Sequence, residues 1–128
     1  MEGSIMTQSV RLAPPNSVIA ILDTSLPFEI PKRVSGGRRI WASPTAVGIG
    51  CLMEMDGETD IHLGWEQEVD PGGEPSFVGR LETPSGVVSV VTVLKEVVMS
   101  LNVGRKDVTL HIWTNHPSEP TDVRIGVS

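Results

Sequence analysis

The prolines and glycines of this chain constrain its fold most, because they divide the apolar residues into short runs. The 128 residues include ten prolines and thirteen glycines, which lie mostly between the apolar segments. Proline lacks an N–H donor and glycine favours turns, so each run has room for a strand but not for a long helix. The spacing therefore predicts many short β-strands joined by turns.

Alternation of apolar with small or polar residues marks the clearest strands. Residues 47–55 alternate in this way, and residues 61–65 do so again after Asp56-Gly57. A strand with one buried face has this period of two, and Asp-Gly is a favoured hairpin turn. We therefore predict a β-hairpin across residues 47–65, with Cys51, Met53, Met55 and Trp65 in its inward set and its even-numbered acids on the outer face.

Residues 87–103 fit two interpretations, because their apolar side chains also recur at helical spacing. The abundance of valine favours strands, since β-branched side chains lose rotamer freedom in a helix but fit a pleated sheet. We predict two strands that bend near Lys95-Glu96. The other short apolar runs predict strands at residues 18–22, 39–41, 108–113 and 123–127.

Together these elements predict an all-β fold, a single antiparallel β-sandwich of jelly-roll type with about seven to eight short strands and little or no helix. The length suits one domain over residues 1–128, with residues 1–10 as a disordered tail. No apolar run approaches the ~20 residues of a membrane helix, and the N-terminus does not resemble a signal peptide. We expect a cytoplasmic protein that does not bind membranes.

The acidic residues are concentrated in one stretch. The net charge is −6, and half of the sixteen acids lie between Arg39 and Arg80, where there is no lysine or arginine. This balance excludes general nucleic-acid binding, and it favours a protein partner with a basic surface. A purely solubilising role stays open as the alternative. The predicted partner-binding residues are Glu54, Asp56, Glu58, Asp60, Glu66, His111 and Trp113.

Trp113 has two interpretations, because it shares a strand face with His111 and Thr109. It anchors a partner if that face is open, and it belongs to the core if a loop or second sheet covers it. A basic cluster around Gly36-Gly37 is predicted to contact phosphate or carboxylate groups, unless it is only a solvated loop. Its members are Lys32, Arg33, Arg38 and Arg39.

The sequence contains no set of residues that specifies catalysis. Cys51 lies in the inward set of its predicted strand, and no G-x-S-x-G motif occurs. His62, His111 and His116 form no H-x-H pair, so we assign no catalytic or metal-ligating residue and expect no cofactor. Two alternatives remain: a metal- or carboxylate-dependent hydrolase using His62 or His111 with nearby acids, and a ligand-binding or structural sandwich. The oligomeric state also stays open.

The C-terminal half resembles a known family. Thr83-Pro84-Ser85-Gly86, two apolar strands, a turn at residues 104–107 and a strand ending in Trp113-Thr114 are similar to the end of bacterial competence protein J. This resemblance, over residues 83–114, implies a small cytosolic β-protein that binds and inhibits a DNA-entry nuclease without chemistry of its own. We therefore expect a non-enzymatic protein-binding module, an inhibitor or immunity-type factor. The basic loop and the glycine-rich first strand depart from the family pattern, so no family binding residue is transferred.

Overall fold

The computed structural model describes residues 7–31 and 39–128, which form ten strands and very little helix. The predicted all-β sandwich is confirmed, with ten strands instead of seven or eight. A one-turn helix α1 (Glu66–Val69) and two 3-10 turns (Pro15–Ser17 and Glu54–Asp56) complete the described structure. The strands are β1 Gln8–Leu12, β2 Val18–Leu22, β3 Ile40–Ala42, β4 Ala46–Gly50, β5 Thr59–Trp65, β6 Phe77–Glu82, β7 Val87–Thr92, β8 Val97–Asn102, β9 Asp107–Thr114 and β10 Asp122–Val127.

The strands form two five-stranded sheets. Sheet 1 has the order β1-β5-β10-β9-β6, and sheet 2 has the order β3-β4-β2-β7-β8. The pairings are antiparallel except for β5 with β10, which are parallel. Parallel neighbours need a long crossover connection, and here the chain makes β6 to β9 between them. The predicted antiparallel sandwich thus contains one parallel pair at the centre of sheet 1.

The main core lies between the two sheets. Ile61, Leu63 and Ile125 from sheet 1 belong to the same buried cluster as Ile19 and Ile49 from sheet 2. A smaller second cluster joins buried residues of β2, β4 and β7 to Phe28 and Ile30, which come from the loop after β2. β4 is therefore buried along its whole length, whereas the sequence pattern had indicated one buried face.

The predicted hairpin across residues 47–65 is wrong. β4 ends at Gly50 and pairs with β2 and β3, whereas β5 pairs with β1 and β10 in the other sheet. The chain between them crosses from sheet 2 to sheet 1, and we call residues 53–58 the crossing segment. Hydrogen bonds from Leu52 N to Pro120 O (3.1 Å) and from Asp60 N to Thr121 O (2.9 Å) hold its two ends against the β9–β10 loop.

Residues 87–103 form β7 and β8, so the strand interpretation is confirmed. The turn between them contains Lys95 in the left-handed region, at φ 66°. The predicted strand at residues 39–41 is observed as the edge strand β3. β1 and β6 were not predicted, and β1 includes residues 8–10 of the expected tail. Within the described ranges, no helix is long and apolar enough to cross a membrane.

Candidate functional site

The strand order gathers polar side chains on the outer face of sheet 1. Ser9 on β1 lies opposite His62 on β5, His62 opposite Arg124 on β10, and Arg124 opposite Trp113 on β9. Directly paired residues point to the same face of a sheet, and His111 shares that face because it is two residues from Trp113. His62 and His111 therefore lie on one face, a point that the sequence left open.

His62 is the centre of a hydrogen-bonded chain on this face. Its Nδ1 contacts Ser9 Oγ at 2.7 Å, and its Nε2 contacts Asp122 Oδ1 at 2.9 Å. Arg124 Nε donates to the other oxygen of Asp122 at 3.2 Å, and Arg124 Nη1 donates to Val69 O at 3.4 Å. The chain thus connects β1, β5, β10 and α1.

These hydrogen bonds are relevant to the hydrolase alternative, because serine, histidine and aspartate are the residue types of an acyl-transfer triad. Two cavities among the described residues, one lined by residues that include Arg39 and His116 and the other by residues that include Phe77 and Asp107, contain none of the three, which favours a structural role for Ser9, His62 and Asp122. In residues 7–31 and 39–128, no group of three or more His, Cys, Asp or Glu side chains is placed to hold a metal ion.

Helix α1 packs on the outer face of sheet 1 where two glycines leave space. A Cβ on Gly126 would lie 2.8 Å from Glu66 Cα and 3.1 Å from Trp113 Cζ3. Glycine at this position therefore permits both α1 and the indole ring to contact the sheet. Val69 of α1 is buried against Gly64 and Gly126. Glu66, one of the predicted partner-binding residues, belongs to this helix together with Glu68.

Trp113 is covered, so it offers no exposed surface to a partner. Its side chain is buried, and its Nε1 donates a hydrogen bond to Gly73 O at 2.9 Å, in the loop before β6. His111 stacks against Trp113 with ring centroids 6.2 Å apart, and its Nε2 lies 3.0 Å from Ser128 Oγ. Glu66 Oε1 is 3.9 Å from the same nitrogen. Glu66, His111 and Trp113, three of the predicted partner-binding residues, thus lie together, but they contact one another.

Asp60 is also engaged. Arg11 on β1 donates two hydrogen bonds to its carboxylate, at 2.7 and 3.2 Å. The hydrogen bond from Arg11 is the main cause that holds the pKa of Asp60 below its usual value. The same bond raises the pKa of Arg11, with a smaller contribution from Glu58. Asp60 therefore contributes little unpaired negative charge to this side of the molecule.

The crossing segment carries the remaining predicted acids, and all of them are exposed. Glu54 Oε1 accepts a hydrogen bond from Asn16 N at 3.3 Å, and within the described part of the chain Glu54, Asp56 and Glu58 form no ion pair. Met53 and Met55 lie beside them with 49% and 83% of their surface exposed. The sequence pattern had assigned both methionines to the inward set, which is wrong.

Trp65 is half-buried at the edge of the main core, and Arg105 lies over its ring at 5.7 Å. Cys51 is buried as predicted, and burial raises the pKa of its thiol to about 12. Lys32, Arg33 and Arg38 of the basic cluster lie outside the described residues. Arg39, the residue before β3, is described, and its side chain lies against Gly50 at the end of β4.

These observations define a small two-sheet β-protein with an exposed acidic and methionine-bearing connection between its sheets. No family model and no curated protein matches the sequence. The fold is similar to the crystal structure of ComJ from Bacillus subtilis, described as an inhibitor of the DNA degrading activity of NucA. The TM-score is 0.72 and the sequence identity 9%, over 98% of each chain. The resemblance expected from residues 83–114 is thus confirmed for the fold of nearly the whole chain.

Proposed function

We propose that this chain is a non-enzymatic protein-binding module that inhibits a partner with a basic surface, such as a DNA-degrading nuclease. The observation that carries the proposal is the crossing segment, where exposed Met53 and Met55 alternate with Glu54 and Asp56. Methionine side chains adapt to irregular apolar surfaces, and carboxylates around them complement a basic rim. The segment thus combines apolar contact with negative charge in one exposed stretch.

A nuclease suits this surface because it must bind the phosphates of its substrate with positive charge. An acidic segment is attracted to such a surface over a distance, which raises the rate of association. The similarity of the fold to ComJ also supports an inhibitory role, since ComJ is described as an inhibitor of a DNA degrading activity. The proposal requires neither a cofactor nor a catalytic residue, and it treats the chain as a single domain acting in the cytoplasm.

The test is affinity capture with the immobilised chain and two charge-matched variants. The first variant neutralises the crossing segment (E54Q/D56N/E58Q), and the second neutralises exposed acids elsewhere (E68Q/E74Q/E96Q). Each removes three negative charges, so general acidity changes equally in both. We expect the wild type and the second variant to capture the same partner and to inhibit its degradation of DNA. The first variant should bind that partner at least about tenfold more weakly.

A third variant separates charge from apolar contact. M53S/M55S keeps all carboxylates, so it should retain the rate of association but release the partner faster. Equal capture by both charge variants would contradict the assignment of the crossing segment. A captured partner whose DNA degradation is unchanged by the wild-type chain would contradict the inhibitory function.

A further inference from the structure

A cavity of about 510 Å³ lies at the end of the sandwich where β3 begins and the β9–β10 loop returns. Its walls include Arg39, Ser76, Thr114 and His116, and no aspartate or glutamate of the described residues lines it. We propose that this cavity binds the oxyanion group, phosphate or carboxylate, of a small molecule that also has an apolar body. This site is separate from the acidic crossing segment and goes beyond the proposed function.

Arg39 provides a positive charge with an unused donor. Its Nε is buried and has no hydrogen-bond partner among the described residues, and Arg39 forms no ion pair there. A buried N–H without an acceptor is rare in folded proteins, because it loses its bond to water without a replacement. A guanidinium presents its N–H groups as a planar fork that matches an oxyanion. Arg39 also lines the cavity, so an oxyanion bound there would supply a counter-charge to its guanidinium.

Gly50 and the backbone hold this guanidinium in place. A Cβ at Gly50 would lie 2.7 Å from Arg39 Nη2 and 2.9 Å from Arg39 Cζ, so a larger residue would displace the side chain. Gly50 N donates to Arg39 O at 2.7 Å, which fixes the backbone from which the side chain starts. The position of Arg39 is therefore determined by the ladder between β3 and β4, not by a counter-ion.

His116 adds a second donor, because its neighbours determine which ring nitrogen carries the proton. The backbone N–H groups of Ser118 and Glu119 donate to His116 Nδ1 at 3.1 and 2.9 Å. In the neutral imidazole the proton is therefore on Nε2, which is a donor. The hydroxyls of Ser76 and Thr114, 3.1 Å apart, add polar groups to the same wall.

The apolar part of the wall indicates more than a free inorganic ion. Ile40, Pro75, Pro117 and Pro120 line the cavity beside the polar groups. Its volume is within the range of about 300–1,000 Å³ for small-molecule sites and far exceeds the size of one phosphate. A ligand with an oxyanion at one end and a ring or alkyl group at the other would use both parts.

The experiment is an NMR titration of the isolated wild-type chain with phenyl phosphate, benzoate, inorganic phosphate and benzyl alcohol. We expect phenyl phosphate or benzoate to shift the Nε–Hε signal of Arg39 and the ring signals of His116. The tighter of the two identifies phosphate or carboxylate as the preferred group. Inorganic phosphate should bind at least tenfold more weakly than phenyl phosphate, and benzyl alcohol should cause no shift at Arg39.

Two variants add a matched control. R39Q should lose at least tenfold in affinity for the preferred probe, whereas R80Q removes an exposed arginine elsewhere and should bind as the wild type does. The absence of any shift at Arg39 with both charged probes would overturn the proposal, and so would wild-type affinity in R39Q. The wild-type titration gives a decision even if R39Q does not fold. It uses no protein partner, so its failure would not affect the proposed inhibitory function.

Discussion

Replacing Asp23 by alanine should destabilise the protein more than replacing any exposed aspartate. Asp23 follows β2 and is completely buried. Its carboxylate accepts hydrogen bonds from Ser85 N at 2.7 Å, Ser85 Oγ at 2.8 Å and Ser25 N at 2.8 Å. These bonds attach the end of β2 to the turn between β6 and β7, so their loss affects both sheets.

The size of the effect follows from the number of bonds and their surroundings. A hydrogen bond to a charged group contributes about 1.5–3 kcal/mol, and the contributions of bonds to one carboxylate are not additive. Ser25 and Ser85 are exposed residues, so water can replace part of what the donors lose. We expect Asp23→Ala to reduce the free energy of unfolding by about 2–3 kcal/mol. For a chain of this size this corresponds to a fall in Tm of about 10 °C.

Asp23 also predicts an acid-dependent loss of stability. Burial alone would raise the pKa of this carboxyl. The hydrogen bonds from Ser25 and Ser85 together lower it by more than burial raises it, so the net pKa lies below its usual value. The stabilisation is therefore present above the unfolded pKa of about 3.9 and is lost as the pH falls through the folded pKa. Asp23→Asn removes this titration, so its stability should fall less steeply than that of the wild type in acid.

Urea unfolding followed over the acid range measures both effects, with Asp70→Ala as the control. Asp70 also accepts a hydrogen bond from a backbone N–H two residues later, Gly72 N at 2.7 Å, but it is exposed. Its loss should cost about 0.5 kcal/mol or less. Equal losses for Asp23→Ala and Asp70→Ala would refute the reasoning, and so would an unchanged acid dependence in Asp23→Asn.

Two further predictions concern packing and burial. Gly126→Ala should reduce the free energy of unfolding by about 1–3 kcal/mol in urea, since its Cβ would lie 2.8 Å from the backbone of Glu66. Gly73→Ala, with no atom within 4 Å of its Cβ, should unfold like the wild type, and an equal loss in both would contradict the packing explanation. Cys51 should react with a thiol reagent near neutral pH only after unfolding, because burial raises its pKa to about 12. Rapid reaction of the native protein would show that the thiol is accessible.

Local sequence signals were sufficient where local chemistry decides the structure. The valines of residues 87–103 gave β7 and β8 because β-branched side chains favour a pleated strand over a helix. Cys51 was predicted to be buried from the alternation that begins at Val47, and it is buried although β4 ends one residue before it. The short strand predicted at residues 39–41 is also present, as β3 at the edge of sheet 2.

The crossing segment could not be recognised from the sequence. Asp56-Gly57 is compatible with a hairpin and with a crossing between sheets, because both need only a change of chain direction. The choice depends on bonds such as Leu52 N to Pro120 O, which join residues far apart in the chain. β1 was missed for the same reason, since its short sequence becomes a strand through pairing with β5.

The concentration of acidic residues between Arg39 and Arg80 is visible in the sequence, but the contacts of each acid depend on distant partners. Asp60 is paired with Arg11, which is 49 positions away. Trp113 is covered by the loop that contains Gly73, 40 positions away. Each of the two exposed methionines is next to a carboxylate in the sequence, which is consistent with an exposed position. The same pattern also fits a strand with one buried face, so it indicates exposure only when the strand is known to end at Gly50.

The central claim is that the crossing segment recognises a basic protein partner. The most direct measurement is the association rate of the captured partner with the wild type, E54Q/D56N/E58Q and E68Q/E74Q/E96Q, at low and high ionic strength. Salt screens exposed charges, so the wild type and the second variant should associate rapidly at low salt and slow down steeply as salt is added. We predict that E54Q/D56N/E58Q associates about tenfold more slowly at low salt, with a weak dependence on salt. The same rate and the same salt dependence for all three proteins would contradict the claim.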